Sequence, residues 1–320
     1  MIPPPFLVLA GPTAVGKSEI ALLLSARLNG EIVSVDSMQV YRGMDIGTAK
    51  PSLGDRSRVP HHLIDMLPIT EVFDAAKFVQ LASSAVADIQ ARSRLPILCG
   101  GTGLYFKALF EGLGNAPPGD PVLRTKLEAT ALADLLQELA QLDPATYERI
   151  DQQNPRRVIR ALEVIRLTGR PFSKQRAAWS SIAATEAQRT PFFGLLRSSG
   201  DLRRRIDTRV EEMFTRGLIA ETERLKKCGL ENNPNASQAL GYKQVLEHLA
   251  GARPLSETTE LVKIRTRQYA KRQTTWFRRQ FQLNWIPIEP DQEANDVAAR
   301  IAREFNNSRD KKCETRNPKS

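Results

Sequence analysis

At 320 residues the chain can bury a full core and carry an appended domain, but hardly three domains. Its 41% hydrophobic and 26% charged residues are ordinary for a soluble globular protein, whereas the net charge of +10 favours a polyanionic partner. Cys99, Cys228 and Cys313 are far apart, which suits a reducing compartment and makes no zinc site, and the apolar run near the N-terminus is too short for a signal core or membrane span, so a cytoplasmic location is the default.

Phe6–Ala10 is a short apolar run and reads as a buried parallel strand. It feeds Gly11-Pro12-Thr13-Ala14-Val15-Gly16-Lys17-Ser18, a complete G-x-x-x-x-G-K-[ST] loop, and Glu19–Leu28 follows with helix composition. Gly11 and Gly16 let the backbone curl so that N–H groups converge on phosphate oxygens. Lys17 adds a point charge, Ser18 a hydroxyl for Mg²⁺, and the helix N-terminus a partial positive charge. The loop is expected to bind a di- or triphosphate.

Glu31–Asp36 reads as a second strand, followed by a long irregular excursion rich in Gly, Pro and charge. A helix is expected over Phe73–Ser93 and a buried strand over Leu95–Cys99, running into Gly100-Gly101-Thr102-Gly103 and another helix. This alternation predicts a parallel α/β core, with Gly11–Ser18, Asp36–Tyr41 and Gly100–Tyr105 around one crevice beyond the strands' carboxyl ends. Gly112–Asp120 is a Gly/Pro hinge, and Pro121–Ala178 is helical in composition, an insert riding on the sheet domain. Thr190–Arg197 reads as a returning strand, Asp201–Cys228, Ser237–Leu249 and Glu257–Phe281 as helices, and Trp285–Ile288 as a last strand. The expected division is a core of 1–115 with 190–305, a helical insert of 116–189, and a disordered polar tail of 306–320.

Asp36, at a strand end, can act as a general base or hold Mg²⁺ through water; it can equally be a turn or capping residue. Thr102 sits in a glycine turn that allows close approach to a ligand, or is simply a tight strand-to-helix turn. The adjacent His61 and His62 lack metal-binding spacing and read as loop-packing residues or diphosphate neighbours. Three basic clusters stand out: Asn154–Arg170, whose five Arg are interrupted by an acid only at Glu163; Arg203, Arg204, Arg205 and Arg209; and Lys263–Arg279, within a stretch from Leu261 to Ile288 without Asp or Glu. Basic residues on two faces of a helix, with Tyr269, Trp276, Phe277 and Phe281 between them, fit nucleic-acid contact.

Taken together, these segments make the chain resemble the tRNA dimethylallyltransferases (tRNA isopentenyltransferases) over nearly its full length. The resemblance rests on GPTAVGKS at 11–18, DSMQVYRGMDIGTAKP at 36–51, HHLID at 61–65, GGTGLY at 100–105, NPRRVIRALEV at 154–164, ALGYKQ at 239–244 and KRQTTWFR at 271–278. The phosphate loop alone is shared by many families; DSMQVYRGMDIGTAKP and GGTGLY in this order are far more specific. Lack of a C-terminal zinc finger points to the bacterial form.

The resemblance implies a P-loop-like core with an all-helical insertion, and transfer of a dimethylallyl group from its diphosphate to N6 of adenosine 37 of tRNA, with Mg²⁺ as cofactor. It places Gly11–Ser18 and Arg209 on the diphosphate, Asp36 and Thr102 on the reacting amine, and Mg²⁺ on Ser18. It turns Asp36, Ser37, Met38, Gln39, Thr102, Arg124, Arg156, Arg157, Val158, Ile159, Arg160, Ala239, Leu240, Gly241, Tyr242, Lys243, Gln244, Lys271, Arg272, Gln273, Thr274, Thr275, Trp276, Phe277 and Arg278 toward the tRNA. A flipped adenosine, an insert clasping the anticodon stem-loop, and a monomeric cytoplasmic enzyme complete the expectation. The alternatives are a P-loop kinase using ATP, an adenylate isopentenyltransferase, and an RNA-binding module without catalysis.

Overall fold

A strand with every side chain apolar must be covered on both faces, and β1 (Leu7–Ala10) is buried at all four positions. The computed structural model describes residues 3, 5–175, 177 and 192–316, with side chains as far as 308. The described strands form one parallel sheet of six, β1 with β2 (Gly30–Val35), β3 (His61–His62), β4 (Leu95–Gly100), β5 (Phe192–Leu196) and β6 (Asn284–Pro287), in the order β3-β2-β4-β1-β5-β6. Val35 lies in register with Gly100, so the chain leaves β2 toward Asp36 and β4 toward Thr102 from neighbouring points.

Parallel strands need crossovers, and helices supply them. They are α1 (Lys17–Leu28), α2 (Leu53–Arg58), α3 (Ala75–Ala91), α4 (Gly103–Glu111), α5 (Pro121–Glu128), α6 (Leu132–Leu142), α7 (Pro144–Tyr147), α8 (Pro155–Thr168), α9 (Ser199–Thr215), α10 (Leu218–Lys227), α11 (Tyr242–Leu249), α12 (Leu255–Gln280) and α13 (Ala294–Arg316). Leu7 and Leu9 of β1 pack with Ile20 and Leu24 of α1 and with Val297, Ile301 and Phe305 of α13. Val8 and Ala10 turn to the other face, where Phe78, Phe106, Tyr242 and Phe277 lie.

The chain divides into two compact units, Met1–Phe110 with Ser181–Ser320, and Glu111–Ser180. The smaller one has its own core of Leu127, Leu135, Leu139, Val158, Ile159, Leu162 and Ile165. It begins ahead of the expected residue 116, where α4 ends and Gly112 takes a left-handed φ of 80°.

Several expectations are corrected. The excursion after Asp36 holds α2 and the edge strand β3, too short for any periodicity to reveal. Asp201–Cys228 is two helices, because Gly217 at φ 97° ends α9 and starts α10, and Ser237–Leu249 is helical in α form only from Tyr242. The tail does not become irregular at Asn306: α13 continues to Arg316. The expected boundary at 189 and the strand start at Thr190 lie outside the described residues. Among the described residues no helix is long and apolar enough to cross a membrane.

Candidate active site

The loop between β1 and α1 reverses direction within a few residues, which calls for left-handed backbone; Ala14 and Gly16 supply it at φ 64° and 107°. Its carbonyl oxygens are drawn toward cations. Pro12 O accepts from Lys17 Nζ at 2.6 Å, Ala14 O from Arg205 Nε at 2.9 Å, and Val15 O from Arg197 Nε at 3.0 Å. Arg197 is itself fixed by Asp201 at 2.9 Å. Ala14 seats against Ile206, Val210, Val262 and Ala270 of α9 and α12. With three carbonyls committed to cations and the Thr13 N–H donated to Gln273 at 2.9 Å, the remaining loop amides are the ones that can meet an anion.

Burial pushes the Lys17 ammonium down to about 8, with Arg209 lowering it further and Cys99 and Asp36 opposing. Burial, and then Arg205, also lower the Arg209 guanidinium, which makes no ion pair among the described residues. Lys17, Arg205 and Arg209 crowd positive charge at the loop, a charge that an anion there would offset. Ser18 is exposed at the start of α1.

Asp36 fulfils the turn role: Met38 N and Gln39 N donate to its Oδ1 at 2.8 and 3.3 Å. Its Oδ2 accepts no hydrogen bond among the described residues, which leaves one oxygen for chemistry. Burial raises the carboxyl above its ordinary range, against the pull of those two amides, Lys17 and Lys50. Thr102 N donates to Val35 O at 3.3 Å, tying the end of β4 beside Asp36. Thr102 O accepts from Tyr105 N and Phe106 N at the start of α4, while its hydroxyl makes no hydrogen bond among the described residues. An open hydroxyl and an open carboxylate oxygen thus stand on adjacent strand ends.

The hard oxygens of Ser18 and Asp36 suit Mg²⁺, which keeps several waters and binds through few protein ligands plus phosphates. Among the described residues no group of three or more His, Cys, Asp or Glu could hold a metal ion.

The basic helix α12 divides in two. Lys263 pairs with Glu211 and Glu260 at 2.8 and 2.7 Å, and Arg267 with Asp207 at 2.7 Å, so its first half is held by acids that include two from α9. Lys271, Arg272, Thr275, Arg278 and Arg279 are exposed beyond it. Arg272 lies 6.0 Å over the Tyr269 ring and Arg278 5.9 Å over the Trp285 ring, which stiffens both.

Other residues expected to face RNA are placed in the fold. Tyr242 is fully buried, donates to Glu221 at 2.6 Å and accepts from Gly47 N. Gln244 caps Gly241 N at 2.9 Å, and Ala239 and Gly241 are buried, leaving Leu240 and Lys243 partly exposed. Phe277 is core, as are Val158 and Ile159 in the smaller unit, and the Gln39 amide is spent on Ser34 and Thr48. In the smaller unit Arg124 and Arg160 bind the buried Glu163 carboxylate at 2.8 and 2.6 Å, whereas Arg156 and Arg157 are exposed. His62 meets Glu31 with Arg92 and Arg94, toward the amino-terminal edge of the sheet and away from the loop, which excludes the diphosphate role for it. Sequence reasoning missed Arg197, although it follows a strand's carboxyl end, and Lys50, whose buried stem carries its ammonium to Tyr41 O, Asp45 and Asp65.

A phosphate loop on a parallel sheet, with an acid and a hydroxyl on the adjoining strand ends, defines a phosphate-loop group-transfer enzyme. A family model described as IPP transferase matches residues 39–280, and the chain belongs to that family. It is 42% identical over 307 residues to a tRNA dimethylallyltransferase of Pelotomaculum thermopropionicum, covering 93% of this chain and 96% of that one. It is 41% identical to one of Desulforudis audaxviator, covering 95% and 99%. The fold is similar to the crystal structure of a tRNA isopentenylpyrophosphate transferase of Bacillus halodurans, at TM-score 0.72 and 38% identity over 97% of this chain and 98% of that one. A eukaryotic dimethylallyltransferase described as acting on tRNA matches at TM-score 0.70 and 28% identity, over 92% and 74%.

Proposed function

We propose that the chain transfers a dimethylallyl group from dimethylallyl diphosphate to N6 of adenosine 37, 3′ to the anticodon in tRNA. The observation that carries this is an open carboxylate oxygen and an open hydroxyl beside a cation-lined phosphate loop, in a chain of the IPP transferase family.

An adenine amine is a poor nucleophile, because its lone pair is delocalised into the ring, so catalysis acts on the electrophile and on orientation. Gly11–Ser18 and Arg209 hold the diphosphate, with Lys17 on its oxygens. As C1 of the dimethylallyl group bonds to N6, its bond to the diphosphate oxygen breaks and negative charge grows there, where Lys17, Arg209 and the loop amides lower its energy. Asp36 Oδ2 takes the proton that N6 loses, and the Thr102 hydroxyl orients the amine. Ser18, with Asp36 through water, would hold Mg²⁺, which would supply further neutralisation of charge on the leaving group. Ser37 and Met38 adjoin the adenosine, and Lys271, Arg272, Thr275, Arg278, Arg156 and Arg157 meet tRNA phosphates. The enzyme works as a cytoplasmic monomer.

The test is incubation with Mg²⁺, radiolabelled dimethylallyl diphosphate and an unmodified anticodon stem-loop, beside γ-labelled ATP and a small-molecule acceptor. Prenyl label is expected in RNA, and the Asp36→Ala variant is expected to lower the rate by roughly 10²–10⁴. Label moving from ATP with none from the prenyl donor would make the protein a kinase.

A further inference from the structure

Gln273 lies in the most basic part of α12, among residues expected to meet RNA, yet it is 7% exposed. Its side-chain amide is used at both ends. Oε1 accepts from Thr13 N of the phosphate loop at 2.9 Å, and Nε2 donates to Gly101 O, next to Thr102, at 2.9 Å. The three segments are far apart in sequence and meet at this one group. Space around it is closed: a Cβ on Gly101 would collide with the Gln273 amide and stand 3.3 Å from Gly11 O. One turn further along α12, the Trp276 ring lies against Gly103, where a Cβ would come within 2.8 Å of its Cδ2.

We infer that Gln273 is a positioning residue that sets the distance between the diphosphate loop and the Thr102 turn, and is not a contact to RNA. The inference rests on the prenyl-transfer reading of the site. Thr13 belongs to the half-site for the leaving group, and Thr102 to the half-site for the amine. A rigid link between them fixes the separation of electrophile and nucleophile, to which transfer rates are steeply sensitive. A side-chain amide carries an acceptor and a donor on one planar group, which lets Gln273 bridge the Thr13 N–H and the Gly101 carbonyl at once. α12 also carries Lys271, Arg272 and Arg278 on its exposed side, so the same helix that offers charge to RNA braces the catalytic loop.

Two substitutions separate this role from an RNA contact. Gln273→Met keeps the length and loses both hydrogen bonds. Gln273→Asn keeps the amide, one methylene too short to span both partners. Three quantities are measured for each full-length variant: stem-loop affinity by fluorescence anisotropy, affinity for inorganic diphosphate with Mg²⁺ by calorimetry, and single-turnover prenyl transfer. Hydrogen exchange at the Thr13 amide reports the bridge itself. Both variants are expected to bind stem-loop within about two-fold of wild type, so that RNA binding doubles as evidence of folding. Diphosphate affinity is expected to drop at least five-fold, transfer to drop about 10²-fold as a 1 Å misplacement does, and the Thr13 amide to exchange faster. A stem-loop affinity weakened ten-fold with diphosphate affinity unchanged would make Gln273 an RNA contact and overturn the inference, as would variants matching wild type throughout. If wild type itself moves no prenyl label while the Thr13 and diphosphate effects persist, the bridge stands and the assigned reaction is what fails.

Discussion

Replacing Gly100 with Ala probes a very close backbone approach beside the catalytic crevice. Gly100 ends β4 in register with Val35, the last residue of β2, and an added Cβ would fall on the Val35 carbonyl, 2.6 Å from its carbon and 2.8 Å from its Cβ. Ordinary contact starts near 3.4 Å, so something must yield by more than 1 Å, and the two nearest colliding atoms, the carbonyl oxygen and carbon of Val35, are backbone. β4 is paired on both sides, by β2 and β1, which leaves no open side to move toward. Overpacking of a core costs about 1–3 kcal/mol, and a site held on both sides belongs at the upper end. For a domain of this size about 3 kcal/mol corresponds to a Tm lower by roughly 6–12 °C. The functional effect is larger, because the strain separates Val35 from Gly100, and with them Asp36 from Thr102. A misplacement of about 1 Å reduces rate on the order of 10²-fold. Thermal unfolding and single-turnover transfer would be measured beside Gly200→Ala, where a Cβ meets nothing within 4 Å. Gly200→Ala is expected to be silent in both assays. A Gly100→Ala protein melting within 2 °C of wild type and transferring at an undiminished rate would refute the reasoning.

Because burial lowers the Lys17 ammonium to about 8, kcat/KM for the prenyl diphosphate is expected to fall as pH rises through that value and the cation is lost; a pH profile with no such limb would contradict the assignment. The stability effect has the opposite sign. Lysine ordinarily titrates near 10.5, so the unfolded chain binds more protons between about 8 and 10.5, and the penalty for burying the cation, full below pH 8, is relieved across that window. Comparing urea unfolding of wild type and Lys17→Met at pH 7 and 9.5 checks it, the difference between them narrowing at the higher pH. Glu221, 6% exposed, accepts from Ile46 N, Gly47 N and the Tyr242 hydroxyl. Glu221→Ala strands these donors at about 1–3 kcal/mol each, and is expected to destabilise by about 3 kcal/mol or more in urea unfolding; a loss below 1 kcal/mol would contradict it.

What the sequence determined was whatever depends on neighbours along the chain. The phosphate loop is local: glycines at fixed spacing between a strand and a helix dictate an anion cradle, and Gly11–Ser18 could be read without knowing anything else. The carboxyl-end rule likewise grouped Asp36 and Thr102 from strand order alone, and the family motifs gave the reaction. Apolar runs marked β1, β2 and β4. In contrast, α13 was not read, although Val297, Ile301 and Phe305 repeat at helical spacing, because its polar remainder runs on without a break into a tail that resembles disorder.

Tertiary structure alone decided which charges are free. Lys263 and Arg267 look identical in sequence to Arg272 and Arg278, yet the first pair faces acids on α9 and the second faces solvent. Arg124 and Arg160 are both anchored by the buried Glu163 carboxylate, a pairing the sequence does not reveal. Tyr242, Gln244 and Gln273 sit within motifs that mark the family, and each is used inside the protein. The reason is physical: a motif records that a residue type is needed at a position, while the partner that needs it can be hundreds of residues away. The amide of Gln273 meets Thr13 across 260 residues, a contact that no local pattern encodes and that exists only once the sheet has brought loop, turn and helix together.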